Sequence, residues 1–420
     1  MVWSLPFFTN ANKKNKHILI KSLPYVSGDI HGNIAVSGSK SESNRLLILQ
    51  KIYGNLKLKN LSDSDDTRHL QEALSSENDM IDIGHAGTAM RFLTAYFSIL
   101  EGREVVLTGS DRMKNRPIKI LVEALQSLGA DIQYVGKTGY PPLKIKGKKL
   151  TESKVQIQGN VSSQYISALL LIASSLENGL ELELIGQVTS RPYIAMTLSL
   201  IQSLEIDTYW KDNIIVVSPK KEIKNKTLIV ESDWSSASYF YSLVALSNRG
   251  KVTLTAYKMD SLQGDRSLVE IYEHFGVTTK FIDNAIELEK HDKDLDKLTL
   301  DLVNSPDLAQ TIAVTCFGLG IACDLTGLHT LKIKETDRLL ALKNELQKLG
   351  AQVKVTDHSL HLQPSLNIEK DIAIKTYDDH RMAMAFAPLA LKVPIHIEDA
   401  EVVSKSFTGF WNDFQSVLNQ

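Results

Sequence analysis

The sequence predicts an α/β protein of two lobes, each made of three repeated units in which buried helices are sheathed by sheets. Three observations predict it. An amphipathic helix, a tight turn and an alternating strand recur in LVEALQSLGADIQYV, TLSLIQSLEIDTYW, LVEIYEHFGVTTKF and LLALKNELQKLGAQVKV, with turns at Gly129, Glu205, Gly276 and Gly350, 71 to 76 residues apart. A second unit with a polar start, an apolar helix, a turn and a strand recurs six times. The copies are SESNRLLILQKIYGNLKLKNL, AGTAMRFLTAYFSILEGREVVLTG, SSQYISALLLIASSLENGLELELIG, WSSASYFYSLVALSNRGKVTLTAY, SPDLAQTIAVTCFGLGIACDLTG and DHRMAMAFAPLALKVPIHIEDA. Finally, 420 residues exceed what one compact core holds, so more than one domain is expected.

Each element has its own reason. Glycine suits the left-handed position after a helix, which explains three of the four turns and leaves Glu205 as the exception. Helices of the second unit are apolar almost all round, as a buried helix is. Their strands alternate, as strands with one wet face do.

Bulk composition narrows the function. Apolar content of 43% and charged content of 23% are ordinary for a globular protein. Lys and Arg (47) nearly balance Asp and Glu (49), leaving a formal net charge of −2, so no global field recruits nucleic acid or an acidic membrane. No window approaches the roughly 18 consecutive apolar residues of a membrane helix. The apolar run near the N-terminus is followed, not preceded, by lysines, the wrong polarity for a secretory signal. Cys316 and Cys323, seven residues apart in an apolar segment, are expected on one helix face as core residues rather than as a disulfide or metal pair. A cytoplasmic monomer acting on small molecules, with no metal and no cofactor, is the expectation.

The polar residues at the starts of the buried helices carry the chemistry. They are Ser41 to Arg45, Gly87 to Arg91, Ser162 to Gln164, Ser235 and Ser236, Ser305 to Gln310, and Asp379 to Arg381. N-capping explains a Ser or an Asp, and is the plain reading of Ser235 and Ser236. It does not explain Lys40, Arg45, Arg91 and Arg381, because a cation there opposes the helix dipole. An anion lying between cation and helix end reconciles the two. One helix end contributes about 0.3–1 kcal/mol and each charge-assisted hydrogen bond about 1.5–3, so several converging would hold a doubly charged ligand. Loop cations add to the set: Arg112, Lys114 and Arg116 in DRMKNRPI, Lys334 and Arg338 in LKIKETDRL, and Lys405 in VVSKSF. Asp307 and Glu335 are the acidic candidates for proton transfer in such a cleft.

Nine strings, GSKSESNR, HAGTAMRF, RMKNRPI, VSSQYISALL, SRPYI, DWSSASYF, SPDLAQTIA, IKETDRL and DDHRMAMAF, resemble in content and order the 5-enolpyruvylshikimate-3-phosphate synthase family of enolpyruvyl transferases. The resemblance runs from Gly38 to Phe407. It implies two lobes of three βαβαββ units each, with residues 1–38 plus 232–420 in one and 39–231 in the other. It implies transfer of the enolpyruvyl group of phosphoenolpyruvate to the 5-hydroxyl of shikimate 3-phosphate with release of phosphate, on the route to chorismate and aromatic amino acids. By resemblance, shikimate 3-phosphate would meet Lys40, Ser41, Arg45, Ser162, Ser163, Gln164, Ser190, Tyr193, Asp307 and Lys334. Phosphoenolpyruvate would meet Lys40, Gly87, Arg116, Gln164, Arg338, Arg381 and Lys405. Asp307 would take the proton of the attacking hydroxyl, and Glu335 with Lys40 would protonate the methylene carbon.

The chain departs from the family pattern at Ser37, His85, Phe92 and Thr330, and in a shortened stretch, QEALSSENDMIDIG, as if one hairpin were trimmed. Two other readings exist. A UDP-N-acetylglucosamine enolpyruvyl transferase usually has a loop cysteine in the region of DRMKNRP, and none is there. A non-catalytic sensor of phosphorylated ligands would need neither Asp307 nor Glu335.

Overall fold

The computed structural model describes residues 19–188, 191–334 and 336–418. Its α-helices are α1 (Lys40–Tyr53), α2 (Asp65–Ser75), α3 (Gly87–Ile99), α4 (Lys119–Ser127), α5 (Ser163–Ala173), α6 (Arg191–Gln202), α7 (Trp234–Leu246), α8 (Leu268–Glu273), α9 (Ala309–Leu319), α10 (Arg338–Lys348), α11 (His380–Phe386) and α12 (Phe410–Leu418). The six sequence units with apolar helices are α1, α3, α5, α7, α9 and α11, which are enclosed over most of their length. The four amphipathic copies are α4, α6, α8 and α10, each burying one face. Their turns all take positive φ: 101° at Gly129, 60° at Glu205, 74° at Gly276 and 96° at Gly350. The same geometry is thus kept at Glu205 without a glycine.

Four sheets share one strand order. In three of them the strand before the buried helix pairs parallel with the strand after it, while around α7 the strand Gly250–Thr255 pairs parallel with the distant Ile30–Ile34; in all four a hairpin following the outer helix adds two antiparallel strands. Met80–Asp82 pairs parallel with Glu104–Thr108, which pairs antiparallel with Leu143–Lys146 and through it with Asp131–Tyr134. The sheets around α5, α7 and α9 repeat this order. A parallel pair needs a long crossover, and the buried helix supplies it. This is a βαβαββ unit.

The units of α1 and α11 are closed by distant segments. Leu56–Lys59, after α1, pairs parallel with Lys226–Ile229 and gains no hairpin. Ser76–Asp79 is all that separates α2 from the next strand, and no hairpin lies between them. Ile372–Ile374 and Ile395–Glu398 flank α11, and Ile20–Leu23 adds the antiparallel strand.

Buried apolar side chains form two separate clusters. One draws on Leu23 to Val36 and Trp234 to Val417, the other on Leu46 to Val230. The chain passes between them twice, and the two passages pair at Gly38 and Ser232. A Cβ on Gly38 would fall 1.8 Å from the Asn60 carbonyl oxygen, so only glycine fits there.

Two expectations need correction. Cys316 is in α9, but Cys323 is on the strand Ala322–Thr326, because the helix ends at Gly320 with φ 75°. Both thiols are nevertheless free and fully buried in the core. Ser235 and Ser236 do not cap α7: Asp233 does, accepting from the Ser236 N–H at 2.8 Å.

Candidate active site

The N-termini of the buried helices meet at the seam between the clusters. On one side, Asp307 precedes α9 and is met by three cations. Arg338 Nη1 lies 2.7 Å from Oδ1, Lys334 Nζ 3.3 Å from Oδ1 and Arg381 Nη2 3.2 Å from Oδ2. Burial alone would raise this carboxyl. The charges of Arg381, Lys334 and Arg338 outweigh burial and hold it well below the usual carboxylate range.

Arg338 is only 2% exposed, and its Nε lies 2.6 Å from Asp379, the cap of α11. Arg381 also donates to Ser235 Oγ at 3.2 Å, while its Nε is enclosed with no hydrogen-bond partner. Burial opposes its charge, but Asp307, Tyr239 and Asp265 keep the guanidinium protonated. Lys405 donates to the Asp378 carbonyl at 2.5 Å.

On the other side, Lys40 opens α1 with its Nζ 3.5 Å from Asp66. Arg45 lies one turn further on and is wrapped in oxygen acceptors: Thr197 Oγ1 (2.7 Å), the Ser41 carbonyl (2.7 Å), Ser167 Oγ (3.1 Å) and the Tyr193 carbonyl (3.4 Å). Burial lowers it to about 10, which leaves it charged at neutral pH. Arg91 turns back to the Gly87 carbonyl at 2.9 Å. The dipole conflict at these two helix starts is therefore met by i−4 carbonyls. Ser162 caps α5 through the Gln164 N–H, and Gln164 Nε2 reaches Thr88 Oγ1 of α3 at 3.1 Å. Ser163 is buried at the same helix start. Arg116 lies against the first turn of α3, where a Cβ on Gly87 would sit 2.4 Å from its Nη1.

Several ties join the sides. Arg112 Nη2 donates to the Lys334 carbonyl at 3.1 Å, Ser404 Oγ to Asp65 at 2.8 Å and Thr408 Oγ1 to the Asp63 carbonyl at 3.1 Å. The Tyr193 hydroxyl is pushed well above its ordinary range by burial and then by Asp265 and Asp307 opposite. His85, a departure from the family pattern, is lowered by burial and by Lys405 across the seam, with Asp66 opposing. Ser190 and Glu335 lie outside the described residues.

The predicted residues that are described thus flank one seam. Sequence reasoning missed several of their partners: Asp66, Asp265, Ser167 and Thr197. Each is a short polar residue in or beside an apolar element. Only DSDD, around Asp66, carried a local signal. Among the described residues no group of three His, Cys, Asp or Glu side chains could hold a metal ion.

Opposed, cation-dressed helix ends on a two-lobed frame of βαβαββ units define an enolpyruvyl transferase fold. A 2.37 Å structure of EPSP synthase from Acinetobacter baumannii matches it with a TM-score of 0.76, covering 95% of this chain and 98% of that one at 20% identity. The family model for EPSP synthase (3-phosphoshikimate 1-carboxyvinyltransferase) matches residues 70–414. The 3-phosphoshikimate 1-carboxyvinyltransferase of Bacteroides fragilis strain YCH46 is 47% identical, covering 92% of this chain and 95% of the relative. That of Haemophilus influenzae strain KW20 / Rd is 37% identical, covering 92% and 96%. The chain belongs to the EPSP synthase family.

Proposed function

We propose that this protein transfers the enolpyruvyl group of phosphoenolpyruvate to the 5-hydroxyl of shikimate 3-phosphate and releases phosphate. The observation that carries the reading is Asp307: a largely buried carboxylate within 3.3 Å of Lys334, Arg338 and Arg381. In the first step Asp307 takes the 5-hydroxyl proton while the oxygen attacks C2 of phosphoenolpyruvate and C3 gains a proton, a role given to Glu335 with Lys40. In the second, C3 gives up a proton and phosphate leaves, restoring the double bond. Acid and base must act at opposite ends of the new bond, because the enol ether carbon becomes electrophilic only as its neighbour is protonated.

Asp307 in its resting pairing is too weak a base. Anionic substrates compete for Lys334 and Arg381, drawing them off the carboxylate and raising its proton affinity as the cleft fills. Lys40, Ser41, Ser162, Ser163, Gln164, Ser190, Tyr193 and Lys334 then serve shikimate 3-phosphate, with Arg45 supporting them from beneath. Lys40, Gly87, Arg116, Gln164, Arg381 and Lys405 serve phosphoenolpyruvate. Arg338, enclosed by Asp307 and Asp379, reads as the anchor of the base and adds its charge to the phosphoenolpyruvate site.

Residues 232–420 with the segment up to 38 form one lobe and 39–231 the other, closing about the Gly38–Ser232 crossing. The two apolar clusters support this division. The protein acts as a monomer on small molecules, and its two free cysteines suit the reducing cytoplasm. Mixing shikimate 3-phosphate with phosphoenolpyruvate and measuring inorganic phosphate tests the activity. No release with both substrates saturating overturns it.

A further inference from the structure

Asp265 has no part in the roles above, yet it is bonded into their framework. It sits in the turn Gly264–Ser267 after the strand Gly250–Thr255 and is 5% exposed. Its Oδ2 accepts the Ser235 hydroxyl proton. Its Oδ1 is enclosed with no hydrogen-bond partner. Ser235 Oγ in turn accepts from Arg381 Nη2 at 3.2 Å, and that same nitrogen reaches Asp307 Oδ2 at 3.2 Å. A line of contacts therefore runs Asp265, Ser235, Arg381, Asp307.

A hydroxyl has one proton to give, so its direction decides what it does for its neighbours. Ser235 can offer a lone pair to Arg381 because its proton is committed to Asp265. We infer that Asp265 is a positioning residue that, when ionised, orients the Ser235 hydroxyl and so keeps Arg381 aimed at Asp307 and at the phosphoenolpyruvate anion. The inference rests on the reading of Arg381 as a phosphoenolpyruvate ligand.

The device has a titration built in. The groups facing Asp265 are Asp307 before α9, Arg381 on α11, Asp233 at the cap of α7 and Tyr193 on α6 across the seam. Burial chiefly, then the charge on Asp307, raise Asp265 to about 6, with Arg381 and the Ser235 hydroxyl opposing. The enclosed, unpartnered Oδ1 works the same way, since an ionised oxygen without a donor is costly. When Asp265 takes a proton from solvent, its new O–H turns to the Ser235 oxygen. The Ser235 proton is then no longer committed to Asp265, the hydroxyl is free to rotate, and its lone pair is no longer held toward Arg381 Nη2.

The test is kcat/KM for phosphoenolpyruvate from pH 5 to 8, with shikimate 3-phosphate saturating, in the wild type and in D265N, S235A, the double variant and R381A. Both substrates carry phosphates that titrate in this range, so the ratio of wild type to variant is read, which cancels their ionisation. The wild-type to D265N ratio should fall by up to about tenfold per pH unit below 6 and be flat above 7. The change should sit in KM for phosphoenolpyruvate more than in kcat. S235A should lose the same acid limb, and D265N should add nothing to S235A, as expected of residues acting in one line. A limb retained in D265N or S235A while R381A raises KM, or additive losses in the double variant, overturns this inference alone. An R381A variant with wild-type KM overturns the ligand reading and this inference with it.

Discussion

Arg112 donates Nη2 to the main-chain carbonyl of Lys334 at 3.1 Å, joining the loop before α4 to the turn before α10 across the seam. The bond fixes the backbone of the residue whose ammonium touches Asp307. The bond is open to solvent, so the tie contributes about 0.5–1.5 kcal/mol. Arg112→Ala should therefore raise KM for both substrates by roughly two- to tenfold, that energy expressed as a ratio, with a smaller change in kcat. Steady-state kinetics check this, and an equal fall in kcat with unchanged KM contradicts it.

Asp307 is both the proposed base and the anion that holds three cations together. Asp307→Asn should lower kcat by about 10²–10⁴, the usual contribution of a positioned base. Binding should move the other way. With the carboxylate gone, Lys334 and Arg381 are released to the substrate, so shikimate 3-phosphate should bind as tightly or more tightly by calorimetry. Weakened binding in proportion to kcat contradicts the assigned role.

The fold was legible where periodicity is strong, and the site where charge stands against a helix end. Six apolar helices and four amphipathic ones were readable because burial repeats the same pattern in each unit. Strands that pair with a distant part of the chain were harder. Lys226–Ile229 and Ile20–Leu23 complete units far away in sequence, and no local pattern encodes a distant partner. Lys40, Arg45, Arg91 and Arg381 stood out because a cation at a helix start needs an explanation. Asp265 and Asp66 did not, since an isolated carboxylate in a loop or first turn is ordinary until its neighbours are known. The αL turn at Glu205 shows the opposite limit, where three-dimensional packing overrides a residue's local preference.

Gly87 and Arg116 are in direct contact, and a Cβ there would sit 2.4 Å from Nη1 and 3.0 Å from Cζ. The obstructing atoms are the far end of a flexible side chain, so the fold should survive Gly87→Ala. Arg116 must move aside, and the first turn of α3 loses open space. KM for phosphoenolpyruvate should rise by about tenfold, roughly one lost charge-assisted hydrogen bond, while KM for shikimate 3-phosphate changes little. Equal increases for the two substrates would contradict the placement of phosphoenolpyruvate against α3.

Arg338 and Asp379 are 2% and 0% exposed at their side chains, with Nε and Oδ2 2.6 Å apart. Removing one partner leaves the other charge buried, which costs about 3–5 kcal/mol. Asp379 also caps α11 through the Arg381 N–H at 2.9 Å. Asp379→Asn keeps an oxygen for the cap but not the charge. Urea unfolding should show a loss of roughly 3 kcal/mol or more, and a change under about 1 kcal/mol, as for an exposed pair, would mean that Asp307 compensates fully.

Glu42 supplies the clearest dependence of stability on pH. It lies on α1, 5% exposed, and accepts the Glu231 N–H at 3.3 Å beside the crossing of the chain. Burial, and then the neighbouring Glu231 carboxylate, raise it to about 7, with Lys258 and Arg45 opposing. A carboxyl raised in the folded state binds more protons there than in the unfolded chain. Its contribution is fully present below about 4.5 and is lost as pH rises through about 7. Glu42→Gln keeps the acceptor for Glu231 and removes the charge. The substitution should therefore stabilise the protein by about 2–3 kcal/mol at pH 8 and by little at pH 5, because a pKa unit corresponds to about 1.4 kcal/mol. Urea titrations at the two pH values measure the difference. A pH-independent effect would show that Glu42 is ionised throughout, held so by Lys258 and Arg45 despite its burial.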